Sequence, residues 1–378
     1  AMSVSVLISR PCRAVSAGLL ALALLAPVQA SEPDPRVREL IAQLDLRQAD
    51  TPSREHPRWQ PPRRVVVYFA DPTHLAGLRA VAPDARIEAA SDDPAQRRRQ
   101  LARADVVIAG CSAANFADGP GLRWYQAMSV GVENCVAVPG LAGRGLVLTN
   151  MQRTSAPPIA EHAIAMTMAL ARGLPTYGRA QQAGEWQRGA FGNARELGGR
   201  TLLVVGLGGI DTEVARRADG LGMRVIATRN SGRLGPDFVA KVGLPDELLA
   251  LAAEADVVVN AAPLTPATTD LFDAEFFNAM KPGGYFINIA RGRSVVQDDL
   301  VAALRSGQLG GAGLDVTDPE PLPAGHPLWA MPNVIITPHV AGNSDRDDER
   351  FWLLINENLR RYVAGEALLN VVDIERGY

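Results

Sequence analysis

What this chain lacks excludes several classes of protein. Its 378 residues include only three cysteines, and both Cys111 and Cys135 lie in or beside apolar runs, where a buried free thiol is favoured over a disulfide. One disulfide between them stays open as the alternative. With 38 basic and 41 acidic residues the formal charge is -3, and no basic cluster is interleaved with aromatic residues. Nucleic acid is therefore not expected as a partner.

Signals for metal binding, serine hydrolysis and membrane insertion are also missing. Cysteine, histidine and acidic residues do not recur at metal-ligand spacing, and no serine lies in a hydrolase elbow. No apolar run reaches the roughly 20 residues that a membrane-spanning helix needs. We therefore expect no metal site and no stable membrane span.

The first thirty residues have the pattern of an export signal. Arg10 and Arg13 precede an apolar run over residues 14–26, and the small residues at 28–30 end it at cleavage spacing. Residues 1–30 are predicted to be a signal peptide, which implies an exported or periplasmic protein. A cytoplasmic protein with an uncleaved or misassigned start is the alternative.

Two blocks of alternating strand and helix patterns follow a helical preface and linker predicted at residues 31–62. The first block runs from Val65 to the apolar segment ending at residue 150. A long helix predicted from 159 to about 182 then leads to a second block with six strand candidates, beginning at Thr201. Such alternation predicts parallel sheets wrapped by helices, and six parallel strands suit a dinucleotide-binding domain.

The predicted fold class is therefore α/β, with two Rossmann-like or flavodoxin-like domains and an active site in the cleft between them. Residues 63–153 would form the substrate-binding domain. The tail has helical spacing and is expected to return to that domain, which adds residues 342–378. Residues 154–341 would form the NAD(P)-binding domain.

A glycine loop opens the second block. Apolar residues 202–205 lead directly into GLGGID at 206–211, and a helix is predicted to follow. Gly206 permits a tight turn, Gly208 lets the backbone approach a pyrophosphate, and the helix N-terminus supplies amide donors. The third glycine position holds Asp211, whose bulk and negative charge predict weakened affinity for the cofactor.

The end of the next predicted strand indicates which dinucleotide is preferred. The segment Ala227-Thr228-Arg229-Asn230 contains no acid that could hold the ribose diol of NAD. Arg229, helped by Asn230, Ser231 and Arg233, could instead hold a 2′-phosphate. This favours NADP and leaves NAD as an alternative. Arg229 could also be a surface residue that binds no ligand.

Three chemically active side chains follow apolar runs later in the same block. Arg291 follows GGYFINIA, Glu320 follows GAGLDVTDP, and His339 follows NVIITP. Because strand ends of a parallel sheet meet at one edge, a cation, a carboxylate and an imidazole could together grip an anionic 2-oxo acid and move a proton. Taken one at a time, Arg291 could be an ion-pair partner on the surface, Glu320 a charged loop residue and His339 a helix cap. Together they predict an active site.

With these pieces in place, the chain from about Val65 to its end resembles the D-isomer-specific 2-hydroxyacid dehydrogenases of the glyoxylate/hydroxypyruvate reductase type. The resemblance rests on LRWYQAMSVGVEN, TNMQRTSAPPIAEHAIAM, the GLGGI loop, FINIARGRSVVQDDLVAAL, GLDVTDPEPLPAGHPLW and NVIITPHVAG, in this order. It implies hydride transfer between NADP(H) and a small 2-oxo acid or D-2-hydroxy acid. It also implies a homodimer.

The resemblance assigns roles to matching positions. Arg291 would bind the substrate carboxylate and carbonyl oxygen, His339 would be the acid and base, and Glu320 would pair with His339 and keep it charged. Backbone amides of Ser129-Val130-Gly131 would hold the carboxylate from the other domain. The expected cofactor contacts are Gly206, Leu207, Gly208, Gly209, Ile210, Arg229, Asn230, Ala262, Pro263, Ala290 and Asp315.

A second hypothesis is an exported dinucleotide- or ligand-binding protein of the same fold with weak or lost catalysis. Asp211 and the export signal motivate it, because free NADP is not expected outside the cytoplasm. His162 is expected to be a packed helix residue rather than a catalyst.

Overall fold

The computed structural model describes residues 33–192 and 194–377, so the predicted signal peptide at 1–30 lies outside the described residues. The chain begins with helix α1 (Pro35–Leu44) and a one-turn 3-10 helix (Ser53–Glu55). Asp34 caps α1 by accepting a hydrogen bond from the backbone N–H of Arg36, and proline stands at the first helical position. Leu40 packs with Leu354 and Ile355, which ties α1 to the first sheet's core.

The first sheet has five parallel strands. They are β1 (Arg64–Val67), β2 (Arg86–Ala89), β3 (Val106–Ala109), β4 (Trp124–Ala127) and β5 (Val147–Thr149), in the order β2-β1-β3-β4-β5. The helices around it are α2 (Pro72–Val81), α3 (Pro94–Leu101), α4 (Ala113–Asp118) and α5 (Glu133–Val136), with a 3-10 turn at Ala142–Arg144. This order is flavodoxin-like, as expected.

The expectation of buried free thiols at Cys111 and Cys135 is wrong. The two residues form a disulfide with Cα atoms 4.9 Å apart. Because β3 and β4 are neighbours, the segments that leave their carboxyl ends meet, and Cys111 after β3 faces Cys135 in α5. The third cysteine, Cys12, lies outside the described residues.

The connection to the second sheet contains two helices where one long helix was predicted. They are α6 (Ala156–Ala171) and α7 (Leu174–Gln182). Gly173 separates them with a left-handed φ of 65°, a conformation that ends a right-handed helix.

The second sheet has seven parallel strands, one more than predicted. They are β6 (Thr201–Val205), β7 (Arg224–Thr228), β8 (Lys241–Gly243), β9 (Val257–Asn260), β10 (Gly284–Asn288), β11 (Leu309–Leu314) and β12 (Val334–Ile336). Their order is β12-β11-β10-β9-β6-β7-β8, which is Rossmann-like. Its helices are α8 (Gly209–Gly220), α9 (Leu248–Ala252), α10 (Ala274–Ala279) and α11 (Gln297–Ser306), with 3-10 turns at Pro245–Glu247, Gly292–Ser294 and Pro327–Ala330.

The final helix, α12 (Asp347–Ala364), packs against α1 and α2 beside the first sheet. The chain thus passes between the two sheets twice, once before α6 and once before α12. In the part of the chain that the structure describes, no helix combines the length and the apolar character needed to cross a membrane.

Candidate active site

The predicted catalytic residues follow three adjacent strands of the second sheet. Strands β10, β11 and β12 lie side by side and parallel, so their carboxyl ends share one edge. Arg291 comes three residues after β10, Glu320 six residues after β11, and His339 three residues after β12. This sheet edge positions all three side chains, as the sequence predicts.

His339 and Glu320 form a hydrogen-bonded pair. The Nδ1 atom of His339 lies 2.9 Å from Oε2 of Glu320, and both side chains are partly exposed to solvent. The backbone of His339 has a left-handed φ of 55°, a strained conformation for a residue with a side chain. Because Glu320 fixes Nδ1, the other ring nitrogen, Nε2, is the one that can exchange a proton with a substrate.

Asp315 holds the loop that carries His339. Its buried carboxylate accepts hydrogen bonds from the backbone N–H of Val340 at 2.9 Å and of Ala341 at 3.0 Å, and from the hydroxyl of Thr337 at 2.6 Å. Nε2 of His162 lies 2.9 Å from the same hydroxyl, so His162 packs into this network. Asp315 was expected to contact the cofactor, and the structure turns its carboxylate toward the His339 loop.

Arg291 reaches across the cleft to the first sheet. Its Nε donates to Oε1 of Glu133 at 2.5 Å, and its Nη1 donates to the carbonyl of Ala290 at 2.7 Å. A methyl group on Gly131 would overlap Nη2 of Arg291. Nη2 is therefore directed at the Ser129–Gly131 turn, which brings the predicted substrate-binding residues of both sheets together.

Two side-chain hydrogen bonds stabilise the Ser129–Gly131 turn. The hydroxyl of Ser129 donates to the carbonyl of Gly131 at 2.7 Å, and the side-chain amide of Asn150 donates to the carbonyl of Val130 at 2.8 Å. These bonds use carbonyl oxygens of the turn. The turn is thereby held rigid against Arg291.

Glu133 is a site residue that the sequence did not reveal. Burial would raise the pKa of Glu133, but the hydrogen bond and charge of Arg291, with a contribution from the charge of His339, lower it. The Glu133 carboxylate thus forms an ion pair with Arg291, at the sheet edge that also carries His339. Its motif, SVGVEN, contained the acid, but its partner Arg291 lies 158 positions away.

A buried amide network shapes the loops that would face a cofactor. The Nδ2 atom of Asn260, at the end of β9, donates to Oδ1 of Asn288 and to the hydroxyl of Ser294. The Oδ1 atoms of Asn260 and Asn288 in turn accept from the backbone N–H groups of Ala262 and Ala290. Both alanines, predicted as cofactor contacts, are thereby fixed at the edge beside Arg291.

The glycine loop contains Asp211 in an unusual environment. Gly206 has a left-handed φ of 108°, and a methyl group there would lie 2.6 Å from Oδ1 of Asp211. The buried carboxylate accepts one bond, from the N–H of Gly208 at 2.9 Å, while its Oδ1 has no partner among the residues described. Burial raises the pKa of Asp211 to about 7. The carboxylate is directed at the loop's own backbone.

The residues around this loop suit a dinucleotide. The loop joins β6 to the N-terminus of α8, whose first amides lack partners within the helix. Beside it lies a cation, Arg153, whose buried Nε has no partner in the described part of the chain. A glycine turn, a helix N-terminus and the neighbouring guanidinium of Arg153 together fit the phosphates of NAD(P).

Arg229 lies at the end of β7, where the adenosine ribose is expected. Its Nη1 donates to the carbonyl of Leu234 at 2.7 Å, which folds the following loop back toward the strand. Arg233, which was expected to help, pairs with Glu247 at 2.6 Å. Within the described residues no group of histidine, cysteine and acidic side chains could hold a metal ion.

Two Rossmann-type sheets around a cleft with an imidazole, a carboxylate and an arginine define a dinucleotide-dependent oxidoreductase that acts on CH–OH groups. The chain belongs to the D-isomer specific 2-hydroxyacid dehydrogenase family, whose NAD binding domain matches residues 164–341. It is 34% identical over 325 residues to glyoxylate reductase/hydroxypyruvate reductase from Mus musculus, covering 82% of this chain and 98% of that relative.

Solved structures agree with this assignment. The NADPH-dependent glyoxylate/hydroxypyruvate reductase from Sinorhizobium meliloti, in complex with NADP and sulfate, matches with a TM-score of 0.72 and 29% identity, over 84% of this chain and all of that one. A probable 2-hydroxyacid dehydrogenase from Rhizobium etli, in complex with NADP, HEPES and tartaric acid, matches with a TM-score of 0.72 and 28% identity over the same shares. The predicted family, fold and enzyme class are confirmed.

Proposed function

We propose that this protein reduces a small 2-oxo acid of the glyoxylate or hydroxypyruvate type with NADPH, and oxidises the D-2-hydroxy acid in reverse. The ion pair of Arg291 with Glu133, at the sheet edge that also carries the His339–Glu320 pair, is the observation that carries the proposal. Relatives named for glyoxylate and hydroxypyruvate reduction, and neighbours solved with NADP, support the choice of substrate and cofactor.

In the proposed mechanism Arg291 binds the substrate. Its Nε and Nη1 are engaged by Glu133 and by the carbonyl of Ala290, so Nη2 is the edge directed at the substrate carboxylate. Amides of the Ser129–Gly131 turn would bind the same carboxylate from the opposite wall. An anion held between a guanidinium and backbone amides has its carbonyl carbon fixed in one orientation.

His339 would move the proton. Its Nε2 donates to the carbonyl oxygen during reduction and accepts that proton in the reverse reaction. Glu320 accepts from Nδ1 and stabilises the charged imidazole, while Asp315 keeps the loop in place. The cofactor, when bound, supplies the hydride. The glycine loop 206–211 would hold its pyrophosphate and Arg229 its 2′-phosphate.

The test is the loss of NADPH absorbance when the protein is mixed with glyoxylate, hydroxypyruvate or a panel of other 2-oxo acids. Turnover is expected with the small acids and should be faster with NADPH than with NADH. A His339→Asn variant should lose at least about a hundredfold in rate while it still binds NADPH. Absence of turnover across the panel, by a protein that binds NADPH, would contradict the proposal.

That negative outcome would favour the second candidate, a dinucleotide- or ligand-binding protein with weak or lost catalysis. Asp211 is the observation that supports it, because a carboxylate replaces a small residue where a strand and a helix cross closely. Calorimetric binding of NADPH without turnover would identify this function.

We also infer that the protein works in an oxidising compartment. The Cys111–Cys135 disulfide supports this, because such bonds persist mainly outside the reducing cytoplasm. Thiol labelling of protein taken directly from cell fractions should find both residues unreactive in an exported fraction. Reactive thiols there would contradict the inference.

The expected homodimer is likewise a proposal. Three large apolar side chains on or after α6 and α7 are exposed: Met168, Leu174 and Trp186, the last at 90%. Burial of such a surface would stabilise a dimer. Light scattering coupled to gel filtration should give twice the chain mass, and a monomer at high protein concentration would exclude it.

A further inference from the structure

Arg153 has an unusual backbone conformation. It lies between β5 and α6, at the first passage between the two sheets, and has a left-handed φ of 73°. A residue with a Cβ is strained there, and glycine or asparagine would be more stable. Strain of this kind persists only where the surrounding structure enforces it, and it is common at functional sites.

The side chain of Arg153 crosses to the glycine loop. A methyl group on Gly209 would overlap Cγ of Arg153 and would lie 3.3 Å from its Cδ and Nε. Residue 209 must therefore be glycine for the arginine to lie where it does. Gly209 is the first residue of α8, so the stem of Arg153 rests on the start of the helix that follows the dinucleotide loop.

The guanidinium of Arg153 is buried and incompletely paired. The side chain is 11% exposed, and its Nε has no hydrogen-bond partner among the described residues. Nη1 donates to Oδ2 of Asp45 at 2.6 Å, but the Asp45 side chain is 84% exposed and its charge is screened by water. Burial lowers the pKa of Arg153, and Arg47 adds repulsion, whereas Asp45 and Glu213 oppose these effects.

We propose that Arg153 binds a phosphate group of the dinucleotide, at the pyrophosphate position over Gly209. An added anion beside the exposed part of the guanidinium would offset the cost of burying the cation, next to helix amides that favour the same charge. The pyrophosphate is common to NAD and NADP, whereas the 2′-phosphate is expected 76 residues further along the chain, at Arg229. The inference rests on the proposed use of a dinucleotide and does not depend on turnover.

The experiment measures dissociation constants for NADPH and NADH by fluorescence titration, with wild type and three variants. Arg153→Gly should weaken both dinucleotides by the same factor, about tenfold, as expected for loss of one charge-assisted contact. Arg153→Lys should lose less, because the charge remains. Asp45→Asn removes only the ion-pair partner and should bind both dinucleotides at least as tightly as wild type.

Folding is controlled by thermal unfolding without dinucleotide. Arg153→Gly should not lower the melting temperature, because glycine relieves the left-handed strain. An Arg153→Gly variant with unchanged affinity for both dinucleotides would overturn the inference and leave the proposed function intact. The same follows if Asp45→Asn weakens binding as much as Arg153→Gly, or if only NADPH is weakened. Wild type that binds neither dinucleotide would overturn both proposals.

Discussion

Two buried carboxylates follow strands of the second sheet, and they are satisfied to very different degrees. Asp315, after β11, accepts bonds from Thr337, Val340 and Ala341, whereas Asp211, after β6, accepts one from Gly208 and has an unpaired oxygen among the described residues. Similar burial thus has opposite consequences. A carboxylate surrounded by donors anchors a loop, whereas one with few donors resists ionisation and makes its loop sensitive to pH.

The largest effect is expected at Asp315. Asp315→Ala removes the acceptor for two backbone amides and a hydroxyl, so the variant should lose about 5 kcal/mol of unfolding free energy, measured with urea. Asp315→Asn keeps one acceptor oxygen and should lose less. Equal stability of Asp315→Ala and wild type would show that water replaces the three hydrogen bonds. Asp315 would then not stabilise the loop, and its contrast with Asp211 would be wrong.

Asp211→Asn should show the opposite sign and a pH dependence. The folded pKa of about 7 lies above the ordinary 3.8, so the stability that protonated Asp211 provides is complete below about pH 4 and is lost as pH rises through about 7. Relative to its value at pH 4, the stability advantage of Asp211→Asn should grow to about 4 kcal/mol at and above neutral pH, an upper bound from three pH units. Thermal unfolding from pH 4 to 8 measures this, and a constant difference would contradict it.

Glu133 offers an intermediate case, a half-buried carboxylate with one strong partner. Glu133→Ala leaves Nε of Arg291 without its acceptor, so KM for glyoxylate should rise about tenfold with a smaller change in kcat. Glu133→Gln keeps an acceptor and should retain a KM near wild type.

Both Glu133 variants remove a negative charge that interacts with His339. Glu133→Ala also removes the acceptor of Arg291 Nε, whereas Glu133→Gln keeps one. A rise of KM in Glu133→Ala alone would assign the effect to the hydrogen bond, and an equal rise in both variants would assign it to the lost charge.

The smallest effect is expected for cofactor affinity at Asp211. Asp211→Gly should bind NADPH a few-fold more tightly than wild type, because it removes bulk and charge beneath the loop that holds the pyrophosphate. Asp211→Asn separates the two causes, since it removes the charge and keeps the bulk. Calorimetric titration measures both, and unchanged affinity in Asp211→Gly would refute the predicted weakening.

Much of the architecture was predictable because buried strands of a parallel sheet are continuous apolar runs. Strands β1, β3, β6, β9 and β10 have this pattern, and the polar residues that follow β10 to β12 had to meet at one edge. Strand β2 was missed because Arg86 and Ala89 are exposed, and β8 because it has only three residues. The break between α6 and α7 at Gly173 was not predicted, because apolar residues continue at helical spacing on both sides of it.

The missed contacts share one property, which is that they join distant parts of the chain. Glu133 meets Arg291, Arg153 meets Gly209, and Cys111 meets Cys135 only because helices and loops converge at the sheet edges. The type of a residue indicates which interactions its side chain can make. Which residue it contacts depends on the folded structure. The domain boundaries at 153/154 and 341/342 stay predictions.

The chain passes between the two sheets twice, and residues of the proposed site lie on or next to both passages. Arg153 lies on the first, and the second begins just beyond His339. Two covalent links limit how far the halves can slide past each other and favour a hinge-like opening. We expect such an opening to bend the chain beside the arginine and beside the imidazole loop, so both ends of the bound ligand would lie next to a hinge.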